Sequence, residues 1–316
     1  MIANLWQLQR PALLGILLFW VAAGFGFAHW DHAAAARGGW ALCWTMLAWC
    51  ALNAGTLWLN ASVDRDSGEV LLGRSVPLPP GLRTFAYGAL ALSVVLSTGA
   101  GLGVALATAL CASLALAYSH PSVLWKGHPV GGPVVNWLGY GLLTPAVGHI
   151  SSGLPLTARA VAVWLVSSLA VLGAYFAAQA FQAQEDRARG YRTLAATHGP
   201  AVTVASAKWL LTAAWVGLVA MSAGGWLPRV LLLAAPLWAW VWAWLRDWEQ
   251  RAESSTESTA RELVRRCGVL ALLAFGLVCT EYVRESLLGL PVAGQGTAVV
   301  FHTKWPSASL DVRRWP

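Results

Sequence analysis

Charge is what this sequence has least of. Only 11% of its 316 residues are Asp, Glu, Lys or Arg, where an ordinary soluble domain carries about a quarter. A soluble protein of this length could not hide the 57% that are hydrophobic, so a soluble globular domain is excluded. Cysteine is sparse too. Cys43, Cys50, Cys111, Cys267 and Cys279 lie in or beside apolar runs with no C-x-x-C pair. That excludes a disulfide framework and a thiolate metal site, and leaves them as small core hydrophobes. No stretch between the apolar runs is long enough for a soluble domain. The net charge of +7 therefore has no basic stripe on a soluble surface, and nucleic acid is not an expected partner.

What is present is a recurrence of apolar runs of roughly 17–25 residues, each enough to span a bilayer. They predict an all-α transmembrane bundle of nine helices over 11–29, 39–60, 84–101, 103–118, 132–150, 159–184, 206–223, 228–245 and 268–288. The third and fourth are parted only by glycines around Gly99–Gly103. The first run is long and others follow it, so it reads as an uncleaved helix rather than a secretory signal. Residues 1–290 form one transmembrane domain in this reading, and 291–316 a C-terminal tail on the extracytoplasmic side. Several tryptophans (Trp30, Trp40, Trp125, Trp226, Trp305) stand at run ends, as an interfacial belt requires.

The basic residues orient the bundle. With the N-terminus inside, 14 of the 21 Lys and Arg fall on inner loops: Arg10, three arginines in 60–83, Lys126, four residues from Arg187 to Lys208 and five from Arg246 to Arg266. Positive charge collects in cytoplasmic loops. The expectation is an integral protein of a bacterial cytoplasmic membrane, surrounded by membrane lipid, with its N-terminus and its chemistry on the cytoplasmic side.

Two inner segments carry nearly the same pattern. Asn60, Asp64, Arg65 and Gly68 follow the second helix; Gln182, Asp186, Arg187 and Gly190 follow the sixth, offset by 122 at every matched position. Residues four apart share a helix face, so Asn60 and Asp64 aim oxygens at one point, as do Gln182 and Asp186. A hard cation such as Mg²⁺ takes oxygen ligands, often one or two carboxylates plus substrate phosphates. One aspartate at a helix end needs no function to explain it. Gln179 and Gln182 inside an apolar helix do, because polar side chains there are costly and usually face a cavity, and equivalent elements of an internal repeat often flank a binding site. A third inner loop, from Tyr118 and Ser119 through Lys126, supplies one of only three lysines. Its ammonium suits a phosphate, and its place in a loop predicts that losing it leaves the fold intact. Arg74, Arg187, Arg189 and Arg192 are further candidates of that kind.

These residues resemble the UbiA superfamily of membrane prenyltransferases, with nine helices and acidic motifs after helices 2 and 6. The family's first motif, Asn-x-x-x-Asp-x-x-x-Asp, is matched at Asn60 and Asp64; Gly68 stands for the last Asp, with Asp66 and Glu69 nearby. The second, Asp-x-x-Asp-x-x-x-Asp followed by Arg-x-x-Gly-x-x-Thr-Leu, reads Gln179, Gln182, Asp186, Arg187, Gly190, Thr193 and Leu194. Tyr118, Ser119 and Lys126, followed by Asn136, match the family's Tyr-Ser…Lys loop. The resemblance implies a Mg²⁺ site (Mn²⁺ substituting) at Asn60, Asp64, Asp66, Gln182 and Asp186. It implies diphosphate binding by Lys126, Arg74, Arg187 and Asn60, and catalytic roles for Asp64, Asp186 and Lys126. It further implies transfer of a prenyl group from a prenyl diphosphate to a lipophilic acceptor, an aromatic one among the options; the alternative is a terpene cyclase needing no acceptor. Trp58, Tyr140 and Tyr175 are candidate cavity aromatics. A transporter or scaffold, the reading from another class, leaves the paired motifs unexplained.

Overall fold

The computed structural model describes residues 2–32, 38–64, 70–73 and 75–288, with side chains to residue 280. Among these residues every regular element is helical. Short α1 (Ile2–Leu8) precedes the long helices α2 (Pro11–Asp31), α3 (Gly39–Asp64), α4 (Leu82–Ser97) and α5 (Leu102–Ser119). The chain continues through α6 (Gly131–Asn136), a π-helical segment Trp137–Leu143 and α7 (Thr144–Ser151). Then come α8 (Ala158–Ala180), α9 (Ala183–Ala188), α10 (Leu194–Ala223), a 3₁₀ segment Arg229–Leu237, α11 (Trp238–Gln250) and α12 (Glu257–Leu288). Seven helices of the described residues are long and apolar enough to cross a membrane, and the protein is an integral membrane protein.

The fifth and eighth expected spans are the two that fall short, because each is broken. In the fifth, Pro145 offers no N–H and Thr144 Oγ1 donates to the Gly139 carbonyl five residues back, at 2.8 Å; the ladder slips there into a π register. In the eighth, a 3₁₀ stretch containing Pro236 leads into α11. The split between α4 and α5 falls at Gly101, whose φ of 114° a side chain would strain. α10 starts 12 residues before the expected 206, capped by Thr193, and bends at Gly199, just ahead of Pro200. α12 likewise starts at Glu257 rather than 268. The first early start is interrupted by Gly199 and Pro200, and the second is a polar turn whose helical state a hydropathy window does not register. Trp40, Trp125 and Trp226 are exposed near helix ends. The tail 291–316, with Trp305, lies outside the described residues.

One hydrophobic cluster joins α2, α3, α4, α5 and α7 around Val21, Trp49 and Leu59; a second joins α8, α10, α11 and α12 around Val204, Leu211 and Leu245. Close backbone approach locks the helix pairs. A Cβ at Gly148 would lie 1.9 Å from the Val21 carbonyl oxygen, and one at Gly24 1.9 Å from that of Pro145. Small residues at such crossings bring backbones into contact, where lipid-embedded helices gain most of their packing. Gly148→Val is therefore expected to cost at least the 1–3 kcal/mol typical of overpacking (~). It should lower the melting temperature and folded yield in detergent; melting with the wild type would mean that α2 and α7 are not held at this contact.

The motif helices cross their neighbours in a repeated way. Gly55 on α3 packs against Ala86 and Leu90 of α4, and Gly173 on α8 packs against Ala207 and Leu211 of α10. The offset from Gly55 to Gly173 is 118, four short of the 122 that relates the sequence motifs. Counted from these crossings Asp64 aligns with Gln182, but α3 runs unbroken through Asp64 whereas α8 ends at Ala180 and Asp186 lies in α9.

Candidate active site

The last turn of α3 brings Asn60 and Asp64 to the end of the bundle where the 119–131 and 181–193 segments meet. Lys126 lies in a single 3₁₀ turn, Trp125–Gly127, entered through Leu124 at φ 48°. A bulky residue in the left-handed region is strained, so the surrounding packing holds the loop in this shape. Gly127 packs on the Tyr191 ring and accepts from the Arg192 amide at 2.8 Å. Lys126 is buried. Its ammonium forms an ion pair with Asp64 and donates to Asn60 Oδ1 at 3.2 Å, while Ser119 Oγ donates to that same oxygen at 3.3 Å. The ammonium thus marks a point on which the Asn60 and Asp64 oxygens converge. The sequence places this lysine in a loop where its loss leaves the fold intact; the structure instead buries it against Asp64 at this end of the bundle.

The second segment completes the site. α9 ends in a Schellman closure: Gly190, at φ 73°, donates to the Arg187 carbonyl at 3.0 Å and Tyr191 to that of Asp186 at 2.9 Å. The glycine four residues after Asp186 is thus the one that turns Tyr191 back over the site. The Tyr191 hydroxyl donates to Asp64 Oδ1 at 3.3 Å. Burial and the neighbouring Asp64 push its phenol up to about 12, keeping it a neutral donor. Arg189 pairs with Glu185 at 2.6 Å and lies 3.8 Å from Asp64 Oδ1, also donating to the Asp64 carbonyl at 3.3 Å. Asp186 is buried and accepts from Thr193 Oγ1 at 2.7 Å, the same oxygen that caps α10. Burial pushes the Asp186 carboxyl above the usual carboxylate range; the Thr193 hydrogen bond and the Arg189 guanidinium pull it back, and the nearby Asp64 adds to the rise.

Asn60, Asp64, Lys126 and Asp186 therefore share one polar basin. Arg187 lies outside it, donating to the Ala196 and Ala195 carbonyls at 2.9 and 3.4 Å, so Arg189 is the arginine that reaches Asp64. Gln182 is half-buried at the start of α9. Asp66 and Arg74 lie outside the described residues. Trp58 is an anchor, its indole donating to the Leu5 carbonyl of α1 at 2.9 Å. Tyr175 accepts from Gln179 Nε2 at 2.8 Å, and Asn136 donates to the Gly132 carbonyl at 3.0 Å. Tyr140 packs against the first cluster. Tyr191 was missed by sequence reasoning; its only signal is its place just after the glycine of a motif.

A polytopic helical membrane protein with a carboxylate, amide and cation basin at one end of an apolar bundle is the class defined here. The chain belongs to the UbiA prenyltransferase family, whose profile matches residues 11–264. No curated protein matches it in sequence. Among solved structures it is similar to a UbiA homologue from Archaeoglobus fulgidus bound to GPP and Mg²⁺, with a TM-score of 0.61, 16% identity and 87% and 99% of the two chains covered. The same homologue bound to DMAPP and Mg²⁺ gives 0.60, 16%, 87% and 99%. A digeranylgeranylglyceryl phosphate synthase gives 0.60, 14%, 88% and 97%. At these identities the likeness is one of fold.

Proposed function

We propose that this chain is a Mg²⁺-dependent prenyltransferase, moving an isoprenoid chain from a prenyl diphosphate to a lipophilic acceptor within the membrane. The observation that carries the reading is the convergence of Asn60, Asp64, Asp186, Lys126 and Arg189 at one end of an apolar bundle. The family match and the GPP, DMAPP and Mg²⁺ bound to the Archaeoglobus fulgidus homologue support it. The excess of Lys and Arg in the loops at that end supports a cytoplasmic-side site.

Mg²⁺ fits the first motif, because the Asn60 and Asp64 oxygens already converge on a cation, the Lys126 ammonium. When bound, the cation neutralises the diphosphate and makes it a better leaving group. Lys126 and Arg189 are placed to exchange a carboxylate for phosphate oxygens, Lys126 as a point charge and Arg189 as a fork. Tyr191 holds Asp64 from above. Tyr118 and Tyr175 lie further into the bundle, and an aromatic face beside the departing prenyl group would stabilise an allylic cation there.

The test is diphosphate release by purified protein from dimethylallyl, geranyl and geranylgeranyl diphosphates, with and without a membrane-lipid extract as the source of acceptor. Release should require Mg²⁺ or Mn²⁺ and the extract, stop in excess chelator, and leave a prenylated lipid visible by mass spectrometry. Full release from donor alone, with a cyclic product, would assign the cyclase reaction instead. Release that persists in chelator, or none from any donor, would overturn the reading.

A further inference from the structure

We propose that the diphosphate site of this chain is built for one divalent cation, held through Asn60 and Asp64, with Arg189 and Lys126 supplying the charge of a second. The inference rests on the prenyl-diphosphate reading above. Three observations carry it. First, the second motif offers a cation only one carboxylate. Gln179 turns its amide nitrogen to the Tyr175 hydroxyl at 2.8 Å, and its buried Oε1, without a hydrogen-bond partner among the described residues, is a neutral oxygen. Asp186 accepts from Thr193 at one oxygen, Oδ2. Two neutral amides and one carboxylate bring a second divalent ion too little negative charge to offset its dehydration.

Second, the two surviving carboxylates stand on unlike elements: Asp64 ends the unbroken α3, while Asp186 lies in the short α9, beyond the break that ends α8 at Ala180. Each half keeps one aspartate, and the two are not equivalent. The 189–193 segment joins them: Arg189 and Tyr191 reach Asp64, and Thr193 donates to Asp186. Third, fixed cations already stand there: Lys126 is buried against Asp64, and Arg189 joins Asp64 to Glu185.

Mn²⁺ is the probe. Full-length protein in detergent is equilibrated with Mn²⁺ alone and with Mn²⁺ plus geranyl thiolodiphosphate, a donor analogue slow to ionise. Bound ions are counted by electron paramagnetic resonance of the free ion and by elemental analysis after gel filtration. One ion per chain is expected with the analogue, none in Asp64→Asn, and two in Gln179→Asp/Gln182→Asp. Arg189→Gln should bind the analogue roughly tenfold more weakly at saturating Mn²⁺, the loss of about one charge-assisted hydrogen bond. Two ions per wild-type chain would overturn this inference and leave the prenyl-diphosphate reading standing. No ion with the analogue would overturn both. A folded double variant that still binds one ion would overturn the role given to the glutamines, and the wild-type count decides the matter if that variant does not fold. Unchanged analogue affinity in Arg189→Gln would remove the arginine from the site.

Discussion

Asp64→Asn is expected to lower kcat/KM for the prenyl donor by roughly a hundred- to a thousandfold, about 2.7–4 kcal/mol, the scale of removing one preorganised electrostatic contact from a transition state. Asp64 is the carboxylate on which the site turns: Lys126, Arg189 and Tyr191 all reach it, and Asn60 shares its cation. The same substitution should destabilise the protein. The Lys126–Asp64 pair is buried, with side-chain exposures of 5% and 8%, and removing one member of a buried pair leaves an uncompensated charge at a cost of about 3–5 kcal/mol. A second substitution separates the two effects. Adding Lys126→Gln to Asp64→Asn removes the orphaned ammonium, so the double variant should regain much of the lost melting temperature and none of the activity. Activity returning with stability would show that Asp64 is a structural partner only.

Lys126→Ala is expected to cost roughly ten- to a hundredfold in kcat/KM for donor, since a hydrogen bond to a charged group contributes about 1.5–3 kcal/mol and each 1.4 kcal/mol is about tenfold. Lys126→Arg should recover only part, because a planar fork does not replace a compact ammonium in a loop as tightly shaped as Trp125–Gly127. The variant should also melt earlier than the wild type. The loss should be smaller than in Asp64→Asn, because the partner left behind, Asp64, still has Arg189 at 3.8 Å and the Tyr191 hydroxyl at 3.3 Å. The deficit should appear in donor titrations and not in acceptor titrations. Wild-type donor kinetics would leave Lys126 as a seal on the bundle and make Arg189 the phosphate clamp.

The sequence by itself determined the environment, the helical class and the ends of the helices that carry chemistry. Transfer of an apolar run into lipid is a sum over its own residues, and backbone groups in lipid are satisfied within each helix, so both are local properties. For the same reason the Asn60–Asp64 and Gln182–Asp186 spacings could be read as shared helix faces. Where the expected bounds fell short, at 194–205 and 257–267, local contacts set the helix start: Thr193 caps the first, and Glu257 and Glu262 pair with Arg261, Arg265 and Arg266 in the second.

Only the tertiary structure decided which charges meet. Lys126 and Asp64 are 62 residues apart and Arg189 and Asp64 125, and nothing in residue spacing distinguishes Arg189, which reaches the carboxylate, from Arg187, which holds the start of α10. The register of the two halves was hidden as well. The motifs align in sequence at 122, but helices pack through side-chain shape, and the Gly55 and Gly173 crossings set the structural repeat at 118. The break after Ala180 then sets Gln182 and Asp186 on α9, apart from the helix that carries Gly173. Contacts between distant segments depend on how close two backbones can come, and there a missing Cβ outweighs a matching motif.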